Sequence, residues 1–570
     1  MDDAAAAAAA ATAPPPPPPP PMQPRTVECR FYQSRVVSAQ KQMKLTTRGI
    51  ELLPPLHTPS SSGGANNTRD RNADVIPWSD VLGASVLSLD ALMHVPGYKI
   101  RGAAVDPRTD FVVYGCIPKS NAIKKSVLAT GLQVLACFGS DPVDESTQGA
   151  NDKKRKRSTA PVTGPCDRVL VQWVFRYSAE DADTFVPQIV QTIRERADPR
   201  TSQLLKEPKT AVTAPLNRRR YFVLVNPVGG TGNARQVYNS IAAPLLQQSN
   251  IECEVVVTEY QHHATEIASK MPLNKYDCVV AVGGDGLLSE IVQGIMKRSD
   301  WKEAIRQPLG ILPAGSGNGL NATLLYRSGE SFDLVNATYA LAKGSPQDLD
   351  LASVVNGKED VMYSFLSFEW AFMADVDIDS ERYRMFGGMR FTMSAIAKLL
   401  SKHKNYTGKV RYLSSENDTA APTKYHDRAK DPREDGAMRP NLDCLSLDDR
   451  SKDQDIPVET TQEWKELTGP YHMFWGVNVS HTGAQGFLAP NAGIDDGYYY
   501  MLVVEGAYSR LNMTRMLFGF EDGTHVGKKQ VQLIQTRAFT LQVDNPEDRL
   551  CVDGELFSGP EIKCIERLVA

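Results

Sequence analysis

Val280-Ala-Val-Gly-Gly-Asp-Gly-Leu-Leu-Ser-Glu290 is a short apolar run that breaks into three glycines around one aspartate. The run that leads into it, Asp277-Cys-Val-Val-Ala-Val282, is apolar, β-branched and too short for a helix, so it reads as a buried strand. Leu287, Leu288, Ile291, Val292, Ile295 and Met296 then recur at helical spacing. Gly283, Gly284, Asp285 and Gly286 therefore fall at a strand-to-helix turn, at the positive end of a helix. Missing Cβ atoms let phosphate oxygens approach main-chain N–H groups, while Asp285 stands where a base would act. The plainer alternative is an ordinary glycine-rich βα turn.

Two further loops weigh against that alternative. Arg220-Tyr-Phe-Val-Leu-Val225 is a second apolar strand, followed by Asn-Pro-Val-Gly-Gly-Thr-Gly-Asn over 226–233 and by helical spacing from Ala234 to Leu246. Pro308-Leu-Gly-Ile-Leu312 is a third, followed by Pro-Ala-Gly-Ser-Gly-Asn-Gly-Leu over 313–320. Each loop follows a strand and precedes a helix, where open parallel α/β sheets bind ligands. Together they make nucleotide phosphates the leading ligand class. No Walker A pattern is present, and Gly315, Gly317 and Gly319 do not have dinucleotide-fold spacing.

A chain of 570 residues should hold several domains. With 63 basic and 67 acidic residues the net charge is −4, so no global field recruits nucleic acid or an anionic membrane. The nine cysteines show no C-x-x-C spacing, which implies a reducing compartment without structural zinc. No run of about 18 apolar residues is present to span a membrane. Residues 1–24, rich in Ala and Pro, lack signal-peptide features and read as a disordered leader. The expected location is cytoplasmic.

Residues 25–205 suggest strands, at Tyr98 to Ile100, Asp110 to Gly115, Leu132 to Phe138 and Val169 to Phe175, closed by a helix over Ala179 to Ile193. That pattern resembles a pleckstrin-homology-like α+β module. Its loop holds Lys153-Lys-Arg-Lys-Arg157, read as a solvated basic loop, with a nuclear signal or anionic-lipid contact as alternatives. Residues 198–217 read as a linker. Residues 218–345 alternate strand and helix and form the nucleotide-binding domain. Residues 346–570 turn β-rich, interrupted by a charged stretch over 414–459 too poor in large apolar residues to fold alone.

Two later segments carry chemistry. In the first, Trp370, Phe372 and Met373 lead into Asp375, Asp377, Asp379 and Glu381, followed by Arg382, Arg384 and Arg390. Carboxylates beside an apolar wall suit a ligand with a greasy tail and a cationic head, and arginines suit phosphates. A surface helix with charge pairs is the alternative. The second is Cys551-Val-Asp-Gly-Glu-Leu556, where Asp553 and Glu555 flank a glycine turn that also fits a hairpin.

With these blocks in order, residues 218 to about 568 resemble the sphingosine kinases, long-chain-base kinases of the diacylglycerol-kinase-like superfamily. The resemblance implies an α/β nucleotide-binding domain followed by a β-rich lipid-binding domain. It implies ATP and Mg²⁺ as cofactors. By position it implies nucleotide contacts from Asn226, Gly230, Thr258, Gly284, Gly286 and Ser316, with Arg384 and Arg390 on the phosphates and Asp553, Gly554 and Glu555 facing the nucleotide. Asp285 is the implied general base on the primary hydroxyl. Asp377 engages the amine or hydroxyl of the sphingoid head group. Phe372, Met373, Val376 and Phe391 line the mouth of an acyl-chain pocket, and Asp496 matches an acidic position near the metal. The substrate partitions into bilayers, so transient contact with a membrane surface is expected, and the resemblance leaves room for a homodimer.

The chain departs from the family pattern at Thr231 and Asn233, where basic residues are common, and at Ala371, where glycine is usual. Ceramide or diacylglycerol kinase, NAD kinase and a lipid-binding scaffold are the rivals. The Asp375-Val-Asp377 and Met389-Arg-Phe391 blocks argue against a ceramide kinase, and the Val552-Asp-Gly-Glu555 ending argues against NAD kinase. Intact Asp285 and Glu555 argue against a scaffold.

Overall fold

A computed structural model describes residues 25–33, 35–53, 74–87, 106–119, 165–204, 216–230, 232–315, 317–383, 386, 390–401, 404–415, 464–506 and 508–567. The leader over 1–24, the strands expected at Tyr98 to Ile100 and Leu132 to Phe138, and the basic loop at Lys153 to Arg157 lie outside the described residues. So do most of the 414–459 insertion, Ser316 and Arg384. The chain divides into two units: residues up to 219 with 245–252 and 342–344, and the remainder.

The first unit contains β1 (Arg25–Gln33), β2 (Arg35–Leu45), β3 (Gly49–Leu53), β4 (Asp74–Pro77), β5 (Val81–Val86), β6 (Asp110–Pro118) and β7 (Arg168–Arg176). They form one seven-stranded sheet in the order β4-β3-β2-β1-β7-β6-β5, antiparallel at every pairing. Helix α1 (Ala182–Ala197) follows and buries Phe185, Val186, Ile189, Val190 and Ile193. That stripe, at i, i+4 and i+8 spacing, packs with Phe111, Val113, Trp173 and Phe175 of the sheet. The helix begins three residues later than the sequence suggests and runs one turn further, to a last turn carrying Arg194 and Arg196.

Next along the chain, β8 (Arg219–Val225), β9 (Ile251–Val257), β10 (Cys278–Gly283) and β11 (Leu309–Pro313) form a sheet in the order β11-β10-β8-β9. β10 is parallel to both β8 and β11 and buried along its whole length, which explains its unbroken apolar sequence. The helices α2 (His263–Lys270), α3 (Asp285–Met296), α4 (Gly319–Ser328) and α5 (Leu334–Lys343) alternate with these strands.

Beyond them lie β12 (Leu351–Asn356), β13 (Val361–Ser364), β14 (Ser367–Ala371), α6 (Phe372–Ser380), α7 (Arg390–Leu400), β15 (Gly408–Leu413), β16 (Trp464–Thr468), β17 (Tyr471–Val477) and β18 (Tyr499–Glu505). The chain ends with α8 (Arg510–Phe518), β19 (Val531–Thr536), β20 (Ala538–Val543), β21 (Leu550–Val552), β22 (Glu555–Phe557) and β23 (Glu561–Arg567). The strands make two six-stranded antiparallel sheets, β13-β12-β23-β20-β15-β16 and β19-β18-β17-β14-β21-β22. Phe368, Trp370, Phe474, Tyr499 and Phe539 meet in a common core drawn from both sheets. On its other face the second sheet packs Met473, Trp475 and Leu502 with Met373 and Val376 of α6 and with Met513 and Met516 of α8.

Candidate active site

The three glycine loops emerge together at the carboxyl ends of β8, β10 and β11. The Asn226 N–H donates to Val282 O at 3.1 Å, and its side-chain Oδ1 accepts from the amides of Val228 and Gly229, folding the first loop back on itself. Ala314 and Gly315 both donate to Gly283 O, joining the third loop to the second. Contact is closest at Gly315, where an added Cβ would stand 2.5 Å from Gly284 Cα. Gly230, at φ +59°, is equally confined: its Cβ would stand 2.8 Å from Ala314 O. Thr258, just past β9, is buried and turns its N–H and hydroxyl to Val225 O.

Asp285 opens α3 and is 5% exposed. Its Oδ2 accepts from the Gly319 amide at 2.7 Å and its Oδ1 from the Leu320 amide at 3.2 Å, so the side chain caps the N-terminus of α4. Burial pushes its pKa up to about 6 against the pull of those amides. Gly317 stands between the base and Phe391: an added Cβ there would lie 3.7 Å from Asp285 Oδ2 and 4.0 Å from Phe391 Cζ.

Helix α6 divides its acidic residues between two faces. Asp375 and Asp379, four residues apart, share a face. Asp379 pairs with Lys398 at 2.6 Å and Arg549 at 2.9 Å, while Asp375 accepts from the Tyr406 hydroxyl at 2.8 Å. Asp377 lies on the other face. One of its oxygens, a Glu369 oxygen and the Cys551 sulfur all lie within 4.8 Å of one another. Three possible ligand atoms are thus close enough together to share one cationic group. Burial, with Glu381 and Glu555 nearby, raises Asp377 to about 6, and Arg390 opposes the shift. Arg390 pairs with Glu381 and lies 4.4 Å from the Phe391 ring centroid, with its buried Nε lacking a partner among the described residues. Of the apolar residues expected at the lipid entrance, Met373 and Val376 are buried and Phe391 is half-buried. Phe372 lines a cavity of about 210 Å³ with Lys398, Leu399, Tyr406, His472 and Met513.

The hairpin β21–β22 turns through Asp553 and Gly554, both at positive φ (50° and 85°), as a two-residue type I′ turn requires. Sequence reading sets Asp553 against the nucleotide. In the structure its Oδ1 accepts from Ser364 Oγ and from the Leu366 and Ser367 amides, and its Oδ2 accepts from the Phe365 amide. It therefore holds the β13–β14 turn, as a buried carboxylate must find donors. Gly554 lies against Asp377, where a Cβ would be 3.7 Å from Oδ2. Glu555 follows at the turn's far side, half-buried.

Asp496, expected near a metal, accepts from the Gly493 and Tyr498 amides and from the Tyr500 hydroxyl, closing its own loop. Beside it Asp350 accepts from the Gly497 amide on Oδ2. Its Oδ1 is buried without a hydrogen-bond partner among the described residues. Asp496 and Asp495 stand close enough to raise the Asp350 pKa further after burial has done so. Sequence reading passed over Asp350, and over Glu369 and Cys551. The available signal for Glu369 was one carboxyl inside the apolar run Phe368-Glu-Trp-Ala371.

Residues 220–354 match the diacylglycerol kinase catalytic domain, and residues 455–562 match the YegS C-terminal NAD kinase beta sandwich-like domain. Human sphingosine kinase 1 is 32% identical over 355 residues, covering 60% of this chain and 88% of the human protein. Sphingosine kinase 1 of Arabidopsis thaliana is 31% identical over 341 residues, covering 59% and 68%. The chain belongs to the sphingosine kinases. A diacylglycerol kinase structure from Bacillus anthracis overlays with a TM-score of 0.41 at 15% identity, covering 62% of this kinase and 95% of that chain. The matched catalytic domain and the sphingosine kinase relatives make it a lipid kinase that uses ATP.

Proposed function

We propose that this kinase transfers the γ-phosphate of ATP to the primary hydroxyl of sphingosine or a related long-chain base, giving the 1-phosphate. The observation that carries this reading is a pair of separate carboxyl sites joined through consecutive residues. Phe391 lies by Asp285 among the glycine loops, and Arg390 acts on Asp377 on α6. Asp285 takes the hydroxyl proton as attack proceeds, and Asp377 holds the cationic end of the base. Phosphoryl transfer needs alignment and charge neutralisation more than covalent chemistry. The glycine loops at Gly230, Gly284, Gly286 and Ser316, with the Asn226 side chain, Thr258, Arg384 and Arg390, serve the phosphates in this scheme, and Glu555 faces the nucleotide. Asp553 supports them by fixing the turn over 364–367.

Mg²⁺, when bound, supplies positive charge against the phosphates. Asp496, with the buried Oδ1 of Asp350 beside it, unpartnered among the described residues, would hold the cation in this scheme. Phe372, Met373, Val376 and Phe391 shield the tail, whose burial is worth about 0.8 kcal/mol per CH₂ for any lipid. Discrimination therefore falls to Asp377 and its neighbours. The residue 25–205 unit is proposed to be a pleckstrin-homology-like module, on its antiparallel sheet and closing helix. Transient contact with a membrane surface follows from the substrate's partitioning. Among the described residues no helix is long and apolar enough to cross a membrane.

The test offers labelled ATP with Mg²⁺ to wild type and Asp285→Asn, with sphingosine, phytosphingosine, ceramide and diacylglycerol in parallel. Label on the free bases, lost in the variant, is expected. Label on ceramide or diacylglycerol instead would overturn the substrate reading and keep the lipid-kinase assignment.

A further inference from the structure

Strand β14 alternates its side chains. Phe368 and Trp370 enter the core between the two sheets, so Glu369 points to the opposite face, beneath α6. On that face it stands in register between Trp475 of β17 and Cys551 of β21. Glu369 is 6% exposed, and its Oε2 has no hydrogen-bond partner among the described residues. Its other oxygen accepts from the Ser367 hydroxyl at 3.4 Å, and the Trp475 side chain stands close enough to favour the charged carboxylate. A buried carboxyl left in that condition costs several kcal/mol unless something binds it. One Glu369 oxygen lies within 4.8 Å of an oxygen of the half-buried Asp377.

We propose that Glu369 is the second carboxyl of the head-group subsite, and that Glu369 and Asp377 seat the ammonium of a free long-chain base between them. This rests on the sphingoid-base reading above. Two N⁺–H···O⁻ bonds of about 2.8 Å spread at a tetrahedral angle span about 4.6 Å, and the two carboxyl oxygens lie within 4.8 Å. An N-acylated lipid brings no charge to this pair and leaves both carboxyls unpaired, so the subsite selects the free amine. The Cys551 thiol beside the pair is buried, and that burial with Glu369, Asp377 and Glu555 holds it above its ordinary pKa, so it adds no charge to the subsite.

Proton release follows from the same arrangement. Burial raises Glu369 well above the ordinary carboxyl range, with Asp377 and Asp553 adding to it, so it holds a proton more tightly than an exposed carboxyl does. Asp377 faces Glu381 and Glu555 and is opposed by Arg390 alone. An arriving ammonium favours both carboxylates, and the proton of Glu369 leaves to solvent.

Calorimetric titration of full-length enzyme with short-chain sphinganine, in buffers of differing ionisation enthalpy, reads that proton in wild type without any variant. Proton release on binding is expected, together with a rise of about tenfold or more in the sphinganine Kd and KM for Glu369→Gln, and an unchanged KM for ATP. Absence of proton release, or a Glu369→Gln variant with wild-type sphinganine affinity, would overturn the assignment of Glu369. So would a stoichiometric metal bound to wild type, lost in Glu369→Gln, with base affinity unchanged. Wild type that phosphorylates no free base overturns the sphingoid-base reading itself, a separate result.

Discussion

The carboxylate of Asp285, the first residue of α3, accepts the amide hydrogen of Gly319, the first residue of α4, at 2.7 Å. One side chain therefore ties the second glycine loop to the third, at the positive end of a helix that favours its charged form. Burial pulls the other way and outweighs it, leaving a carboxyl near pKa 6. Such a group is ionised at neutral pH yet more basic than an exposed aspartate, which suits a general base.

The acid limb of kcat/KM should therefore fall about tenfold per pH unit below pH 6. Asp285→Asn should lower activity by about 10²–10⁴-fold and abolish that limb. Its stability effect has a definite sign. A folded pKa raised above the unfolded value contributes stability below about pH 4 that is lost as pH rises through 6. At pH 8 the ionised wild-type group costs up to about 3 kcal/mol, while the amide leaves one N–H mispaired at about 1–3 kcal/mol. Melting curves should place the variant close to wild type at pH 8 and below it at pH 5. The opposite order would remove Asp285 from its buried, capped position.

Two glycine substitutions separate the fold of the loops from their ligand. At Gly286, inside α3, an added Cβ meets nothing within 4 Å, and alanine favours a helix by about 1 kcal/mol. Gly286→Ala should fold as well as wild type and still raise the ATP KM about tenfold, because the vacant space belongs to phosphate. At Gly315 the Cβ collides with backbone at 2.5 Å, so Gly315→Ala should lose stability and ATP affinity together. Unchanged ATP kinetics in Gly286→Ala would mean that the nucleotide lies elsewhere.

Much of this site is readable from residue types. A buried parallel strand must be apolar throughout, and a loop that packs backbone on backbone must use glycine, so β8, β10 and β11 and their loops announce themselves. The shorter strands β21 and β22, of three residues each, are below the length at which alternation shows. β1 and β2 are mostly polar and gave no pattern to read. The acidic run on α6 is visible as a run. Its division into a salt-bridged face and a ligand face depends on Lys398 and Arg549, distant in sequence. Glu369 escapes for the same reason: its partner arrives from another element.

Asp553 and Glu555, two residues apart, should separate in the same way. Asp553 accepts four hydrogen bonds from residues 364–367, so Asp553→Ala leaves several buried donors unpaired and should cost about 3 kcal/mol or more. Glu555→Gln, at a half-buried position, should leave the melting temperature near wild type and raise the ATP KM. A thermally normal Asp553→Ala with weakened ATP binding would restore Asp553 to the nucleotide.

The two faces of α6 offer the sharpest contrast. Burial raises the Asp379 carboxyl, but hydrogen bonds from Lys398 and Arg549 outweigh it and hold the group below its ordinary pKa. That contribution is present above about pH 4 and is lost as pH falls through the depressed value. Arg549 is 39% exposed and water screens its share, so Asp379→Ala should cost only about 1–2 kcal/mol. It should leave both Michaelis constants unchanged. Asp377 has the opposite balance, its pKa raised to about 6 by burial. Asp377→Asn should therefore melt at or above wild type at pH 8, and should raise the sphingoid-base KM about tenfold while sparing the ATP KM. Paired melting and steady-state measurements on the two variants decide the matter. If Asp379→Ala moves the base KM and Asp377→Asn moves only the melting temperature, the ligand face of α6 is the one that Lys398 covers.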